Sequence, residues 1–380
     1  MSSTTDLSHS LSVVVPTKGR LDLVERLLIS LQKAAKDSNV IVETIIVDDS
    51  PLSERGKVES LCQQYEAQYI HGPSSVREKR NRGIEESRGE IIFFVDSDCE
   101  VGSKIFEEHL KMYGDPSTGG VLGITDFSGK ESFTWNVVKR TKFLDAFSFA
   151  KTLGQVLDSA PWGTCTNLSF RKKALEDVGK FDTAFPFKLG GDDVELGVRM
   201  NKAGYKIKMN PNAVVFHTRE TWSNLLAVAK RVFRWGRMDC YVFHMKHKDK
   251  LSVTFPKPIT IFFLLCLIAL FEIVITHSFL YLLQPIAWLI LFLLIDSLLK
   301  VIASKHASLR DIVFEVPAEM LQFLFQLGTI IESLKKRCIS TFYSEVMDDP
   351  RQVIFVWNER AHEMWAIVIA LLFGFIFYFV

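Results

Sequence analysis

The chain has no CxxC pair, and its six cysteines, Cys62, Cys99, Cys165, Cys240, Cys266 and Cys338, are scattered through 380 residues. That spacing has no metal-ligand rhythm, so reduced structural thiols are expected rather than a thiolate metal site. Excess charge of either sign is also missing. A formal net charge of +1 carries no footprint of a nucleic-acid binder, and no nucleic-acid partner is expected. The first ten residues are polar and lack an apolar h-region, so no secretory signal is expected and the N-terminal domain is assigned to the cytosol.

What is present divides in two. Up to about Lys250 charged residues alternate with short apolar runs, whereas beyond Pro258 Leu, Ile and Phe dominate. In the first part, residues 12–16, 44–47, 68–70 and 90–95 read as strands, and residues 20–36, 53–66 and 75–87 as the helices between them. Such alternation predicts an α/β domain with a parallel sheet covered on both faces, whose ligands bind beyond the carboxyl ends of the strands. Three polar sites follow apolar runs there: Thr17-Lys18, Asp48-Asp49-Ser50 and Asp96-Ser97-Asp98. Residues 117–187 are less regular. A helix is predicted over 192–202, ending near Gly204, with Asp192 and Asp193 where its dipole favours negative charge.

The carboxylates suggest a chemistry. Asp96 and Asp98 supply hard oxygen ligands at the end of a buried strand, as Mg²⁺ or Mn²⁺ prefers, and His217 is a candidate third ligand. Asp193 is the candidate general base for an attacking hydroxyl, with Asp192 and Glu195 as alternatives.

These residues resemble the family-2 glycosyltransferases, which have the Rossmann-like, nucleotide-sugar-binding GT-A fold. Residues 12–17 (SVVVPT) look like the opening strand of that family and 45–50 (IIVDDS) like its base-binding strand end. Residues 80–84 (RNRGI) are similar to its RNxGI stretch, 94–98 (FVDSD) to its DXD motif, and 191–196 (GDDVEL) to its GEDxDL segment. The resemblance implies that Thr17, Asp48 or Asp49, and Arg80 bind the nucleotide, that Asp96 meets ribose or metal and Asp98 the metal, and that Asp193 is the base of an inverting transfer. It also implies that residues 162–167, with Trp162 and Asn167, line the acceptor side next to Asp192, and that His217 touches metal or diphosphate. Residues 231–235 (RVFRW) fit a (Q/R)xxRW pattern of membrane-embedded synthases, which puts Arg231, Arg234 and Trp235 on the acceptor side.

Basic and aromatic residues interleave over 221–248, as in a helix lying on an anionic membrane surface. Residues 259–275, 279–299 and 364–380 are apolar and near spanning length, while 312–331 reads as an interfacial or re-entrant helix. Lys300, Lys305, Arg310, Lys335, Lys336, Arg337, Arg351 and Arg360 lie between the second and third spans, which makes that loop cytosolic. The expected organisation is therefore a catalytic domain over 1–220, an amphipathic interfacial helix and linker over 221–258, two transmembrane helices over 259–299, a cytosolic or interfacial segment over 300–362 and a C-terminal transmembrane helix over 363–380. The protein is expected to be integral to a membrane, the inner membrane if the cell is bacterial, with its catalytic domain in the cytosol. Its expected partners are a nucleotide-sugar, UDP-linked, and a lipid-linked or glycan acceptor. Processive polysaccharide synthesis and a non-catalytic scaffold for glycan assembly are the rival readings.

Overall fold

The computed structural model describes residues 10–188, 190–253, 257–304, 308–346 and 361–379. The polar stretch 1–9 used for the signal-peptide expectation, and Lys305, Arg351 and Arg360 used for the orientation, lie outside these residues. The chain forms two compact units. One combines residues up to 130 with 143–221, and the other combines 131–142 with residues from 222 onward. Residues 131–142, expected within the catalytic domain, thus pack with the second unit.

The first unit is built on an eight-stranded sheet. Its strands are β1 (Leu11–Thr17), β2 (Val42–Asp48), β3 (Gln68–His71), β4 (Ile91–Phe94), β5 (Cys99–Val101), β6 (Thr118–Ser128), β7 (Leu168–Arg171) and β8 (Lys206–Thr218), in the order β3-β2-β1-β4-β7-β6-β8-β5. β1 and β4 are buried along their whole length. Strands covered on both faces need apolar side chains at every position rather than at alternate ones. The period of two then distributes them. Val13, Val15, Ile91, Phe93 and Val95 enter one core, whereas Val14, Ile92 and Phe94 enter the core on the opposite face.

Helix Leu21–Lys36 closes the first core with a stripe of Leu23, Val24, Leu27, Leu28, Leu31 and Ala34, the spacing of one helical face. Helix Val76–Glu86 approaches β1 closely at Gly83, where a Cβ would lie 2.3 Å from Cγ1 of Val14. β1 pairs in parallel with β2 and β4, and Thr17 pairs with Asp48, so their carboxyl ends share one edge.

The sheet is mixed rather than wholly parallel. β7 runs antiparallel to both β4 and β6, and β5 runs antiparallel to β8. The irregular region 117–187 contains the eleven-residue β6. Gly120 lies against Phe170 and Gly119 against Tyr205, where a Cβ would be 2.7 and 2.5 Å from the nearest ring or side-chain atom. The strand is glycine-rich because its neighbours pack directly on its backbone.

The second unit is helical. Helix Leu225–Asp239 continues into a π-helical turn, Cys240–Lys246, and further helices run Pro258–Thr276, Leu283–Ala303, Ile312–Lys336 and Ala361–Phe379. Helices Leu225–Asp239 and Ile312–Lys336 meet at two glycines: a Cβ on Gly236 would lie 1.8 Å from the Phe325 carbonyl oxygen, and one on Gly328 would lie 2.1 Å from that of Phe233. Residues 312–331, expected as an interfacial or re-entrant helix, fall within one continuous helix that accommodates Pro317.

Two helical stretches, Pro258–Thr276 and Phe279–Ala303, are long and apolar enough to cross a membrane, with mean hydropathies of 2.8 and 2.3. Asp296, buried in the second, accepts a hydrogen bond at Oδ1 from His362 Nδ1 at 2.6 Å and lies 3.5 Å from Lys300, which also pairs with Glu319. A carboxylate at that position is thus matched by Lys300 one turn along its own helix and by His362 from helix Ala361–Phe379, as a buried charge requires.

Candidate active site

Arg80 organises the carboxyl edge of the sheet. It is buried on helix Val76–Glu86, where it pairs with Asp192 and reaches Asp96 Oδ1 at 3.3 Å. Asp96 follows β4, and Asp192 opens helix Asp192–Lys202, so one guanidinium joins segments that are distant in sequence. Gly190 and Gly191 carry φ angles of +86° and +72°, a left-handed turn that glycine adopts without steric cost and that aims the helix N-terminus inward. Arg77, one turn before Arg80, braces this turn by donating to the carbonyls of Phe187 and Gly190 and lies 3.9 Å from Asp192.

The three acidic groups of the helix N-terminus therefore differ. Asp192 is clamped by arginines, and Glu195 is held by Arg199 through contacts of 2.7 to 2.9 Å. Asp193, half-buried, accepts from the Val194 N–H at 2.9 Å and has no arginine ion pair among the described residues. Burial, followed by the charge of Asp192, pushes the Asp193 carboxyl up to about 6, against the opposing pull of Arg80. A carboxylate with that affinity for protons is suited to accept one near neutral pH.

Asp98 forms the other pole. Its Oδ2 accepts from Arg20 at 2.9 Å, and its Oδ1 lies 3.4 Å from His217 Nε2. His217 Nδ1 is 2.8 Å from the Thr218 carbonyl oxygen. An acceptor there requires the ring proton on Nδ1, so neutral imidazole turns its Nε2 lone pair toward a carboxylate oxygen. Two electron-rich atoms facing each other in this way fit a cation between them, and Asp98 and His217 suit a hard divalent ion. Cys99 lies in the same cluster, all ligand atoms falling within 4.8 Å. Burial raises its thiol well above the ordinary range, so it remains a protonated packing group. Asp96 is adjacent in sequence but differently employed: Oδ2 accepts from Thr166 at 2.8 Å while Oδ1 faces Arg80.

The expected nucleotide residues line the same edge. Asp48 is fully buried; its Oδ1 accepts from Ser50 at 2.6 Å and its Oδ2 from Tyr69 at 3.3 Å. Asp49 pairs with Lys79 and, at 3.4 Å, with Lys18. Burial alone would raise the Asp49 carboxyl, but the two ammonium groups outweigh it and hold it low. Lys79 also donates to the Thr17 carbonyl at 2.6 Å. The buried Thr17 hydroxyl has no hydrogen-bond partner, leaving a donor and acceptor for a ligand.

On the expected acceptor side, Trp162 packs edge-to-face on Phe149 at 5.2 Å and lies against Gly197 of helix Asp192–Lys202. Asn167, expected on the same side, lies inside the sheet. It is fully buried, and its amide donates to the carbonyls of Ile124 and Ala213 while Oδ1 meets His109 Nε2 at 2.9 Å. Both of its amide protons are used in tying β6 and β8 to the start of β7; burial in this network lowers His109 to about 4.

Arg231, Arg234 and Trp235 belong to the second unit. There Arg231 lies over the Trp222 ring at 4.4 Å, Trp222 meets Trp235 at 6.2 Å, and burial lowers the half-buried Arg234. A cavity of about 680 Å³ lined by Asn81, Arg82, Phe181 and Asp182 opens off another face of helix Val76–Glu86 and contains none of the expected site residues.

Arg20, Arg77 and Lys79 were not foreseen. Arg77 and Arg80 did carry a signal, since together with Ile84 they occupy one helical stripe that is buried, and cations on such a stripe need anionic partners.

The chain is similar to proteins already known. Residues 12–179 match the model of Glycosyl transferase family 2. The chain is 24% identical over 250 residues to Glycosyltransferase AglE of Haloferax volcanii, covering 64% of this chain and 76% of that protein. It is 23% identical over 256 residues to the uncharacterized glycosyltransferase YfnE of Bacillus subtilis, covering 54% of this chain and 64% of that one. Among solved structures it is similar to the mannosyltransferase PcManGT from Pyrobaculum calidifontis in complex with GDP-Man and Mn²⁺, at 13% identity and a TM-score of 0.45 over 97% of this chain and 86% of that chain.

Proposed function

We propose that this chain, whose residues 12–179 form a family-2 glycosyltransferase domain, moves a sugar from a UDP-linked donor to a lipid-linked or polysaccharide acceptor at the cytosolic face of a membrane, inverting the anomeric carbon. The observation that carries the reading is the Arg80 bridge between Asp96 and Asp192, which gathers the strand-end carboxylates beside the raised carboxyl of Asp193.

In this mechanism the acceptor hydroxyl gives its proton to Asp193 as its oxygen attacks the anomeric carbon, and the nucleoside diphosphate departs on the opposite side. Asp98 and His217, with Asp96 beside them, would hold a divalent ion, Mg²⁺ or Mn²⁺, whose positive charge would offset that of the leaving group. Thr17, Asp48 and Asp49 bind the nucleoside, with Lys79 fixing the loop that carries Asp49. Arg80 holds Asp96 and Asp192 in place, while Trp162 lies on the acceptor side. The two apolar helices anchor the protein, and the basic residues of 300–362 keep that segment on the cytosolic side.

The test is a panel of nucleotide-sugars with detergent-purified protein, a lipid-phosphate acceptor and Mn²⁺ or Mg²⁺. Metal-dependent release of UDP with sugar appearing on the acceptor is expected; binding without transfer across the whole panel returns the protein to the scaffold class, and long products from excess donor make it a processive synthase.

A further inference from the structure

Arg20 lies beside the candidate cation site, paired with Asp98. It is the residue immediately before helix Leu21–Lys36 and adopts φ +57° and ψ +48°, a left-handed conformation disfavoured by its Cβ. Gly19, just before it, has φ +63°. The pair of left-handed residues turns the chain so that the guanidinium reaches Asp98 Oδ2 at 2.9 Å.

The turn is fastened from the nucleotide side of the site. The Gly19 N–H donates to Ser50 Oγ at 2.6 Å, and Ser50 Oγ donates to Asp48 Oδ1 at 2.6 Å. Half of the Arg20 side chain is exposed, against 11% for that of Asp98, so the arginine covers the carboxylate on its solvent side. The other Asp98 oxygen faces His217 Nε2.

We propose that Arg20 is a built-in cation that occupies Asp98 in the resting site and yields that carboxylate when a divalent ion enters together with a nucleoside diphosphate. The proposal rests on the cation-site reading given above and adds a residue to it. A divalent ion arriving alone must displace a bound guanidinium and remain beside its positive charge. An ion arriving with a diphosphate brings the anion that the released guanidinium then engages, since arginine matches phosphate oxygens through its planar fork. The Ser50 tether links the turn to the strand end expected to bind the nucleoside, so ion and nucleotide affinities are coupled through one short loop, and such coupling is reciprocal.

The experiment measures Mn²⁺ binding to the detergent-purified full chain, by the paramagnetic resonance signal of free Mn²⁺, with and without UDP. In wild type, UDP is expected to tighten Mn²⁺ binding. Arg20→Gln is expected to tighten Mn²⁺ binding without UDP by about threefold, the scale of one half-exposed ion pair, and to shrink the gain from UDP by a similar factor. Arg26→Gln, which removes a surface arginine paired with Glu220, should leave both titrations unchanged. Ser50→Ala, which loosens the turn and keeps the arginine, should shift Mn²⁺ binding in the same direction and serves if Arg20→Gln does not fold. Saturable Mn²⁺ binding that is unchanged or weakened in these variants overturns the role of Arg20 alone. Failure of wild type to bind Mn²⁺ saturably, with or without UDP, overturns the cation-site reading and this proposal with it.

Discussion

Asp193 is distinguished from Asp192 and Glu195 by the absence of an arginine ion pair among the described residues, and this difference gives the site its direction. Asp193→Asn is expected to lower kcat by at least about a hundredfold, the range for loss of a positioned base, while UDP affinity measured by calorimetry stays within about twofold. Because burial and Asp192 raise this carboxyl to about 6, kcat/KM should fall about tenfold per pH unit on going below pH 6, where the group becomes protonated and stops accepting the hydroxyl proton. An acid limb that breaks near pH 4 instead would assign the base elsewhere. Arg80→Met removes the shared partner of Asp96 and Asp192 and leaves buried charge uncompensated, which costs roughly 3–5 kcal/mol; a denaturant titration reads that loss directly. The carboxylates were legible in the sequence because each follows an apolar run or opens a helix. Arg77 was legible only as a cation on the same helical stripe as Arg80, because its partners are backbone carbonyls 110 and 113 residues away, which no local pattern records. The contacts of Asn167 were hidden for the same reason, since its amide protons go to the carbonyls of Ile124 and Ala213, 43 and 46 residues away.

Among the elements, helix Val76–Glu86 transmits packing into chemistry. It carries Arg77, Lys79 and Arg80 on its buried surface and rests on β1 through Gly83. Gly83→Ala places a methyl group against Val14, and the helix must retreat or strain the core, at a cost of about 1–3 kcal/mol. The expected outcome is a loss of thermal stability together with a weaker UDP affinity, because the retreat carries Lys79 away from Asp49. If the melting temperature falls while UDP affinity is unchanged, the helix does not position the nucleotide residues. The first four strands and their helices were legible because their apolar periods agree with their turn residues. β6 escaped because glycine selected for close packing is the same residue that marks turns, and β7 escaped because four residues carry too short a period. The antiparallel direction of β7 depends on pairing with β4, which sequence spacing does not encode.

At the scale of the whole molecule, the contrast between an ordinary α/β composition and a Leu-, Ile- and Phe-rich second part was plain from the sequence. The path of the chain was not. Membranes carrying the protein should retain it through an alkaline carbonate wash, and release into the supernatant would argue against spanning helices. Chelation by EDTA should abolish transfer, and Mn²⁺ or Mg²⁺ added back should restore it. The excursion of residues 131–142 has a practical consequence. Its short helix, Phe133–Val138, buries Trp135, Val137 and Val138, while Phe133 meets Phe314 at 5.4 Å and Arg140 binds Asp311 and Glu315. A fragment truncated after 221 would therefore retain a sticky apolar loop whose packing partners had been cut away. Soluble expression calls for replacing that loop with a short polar linker, rather than for one well-chosen stop codon.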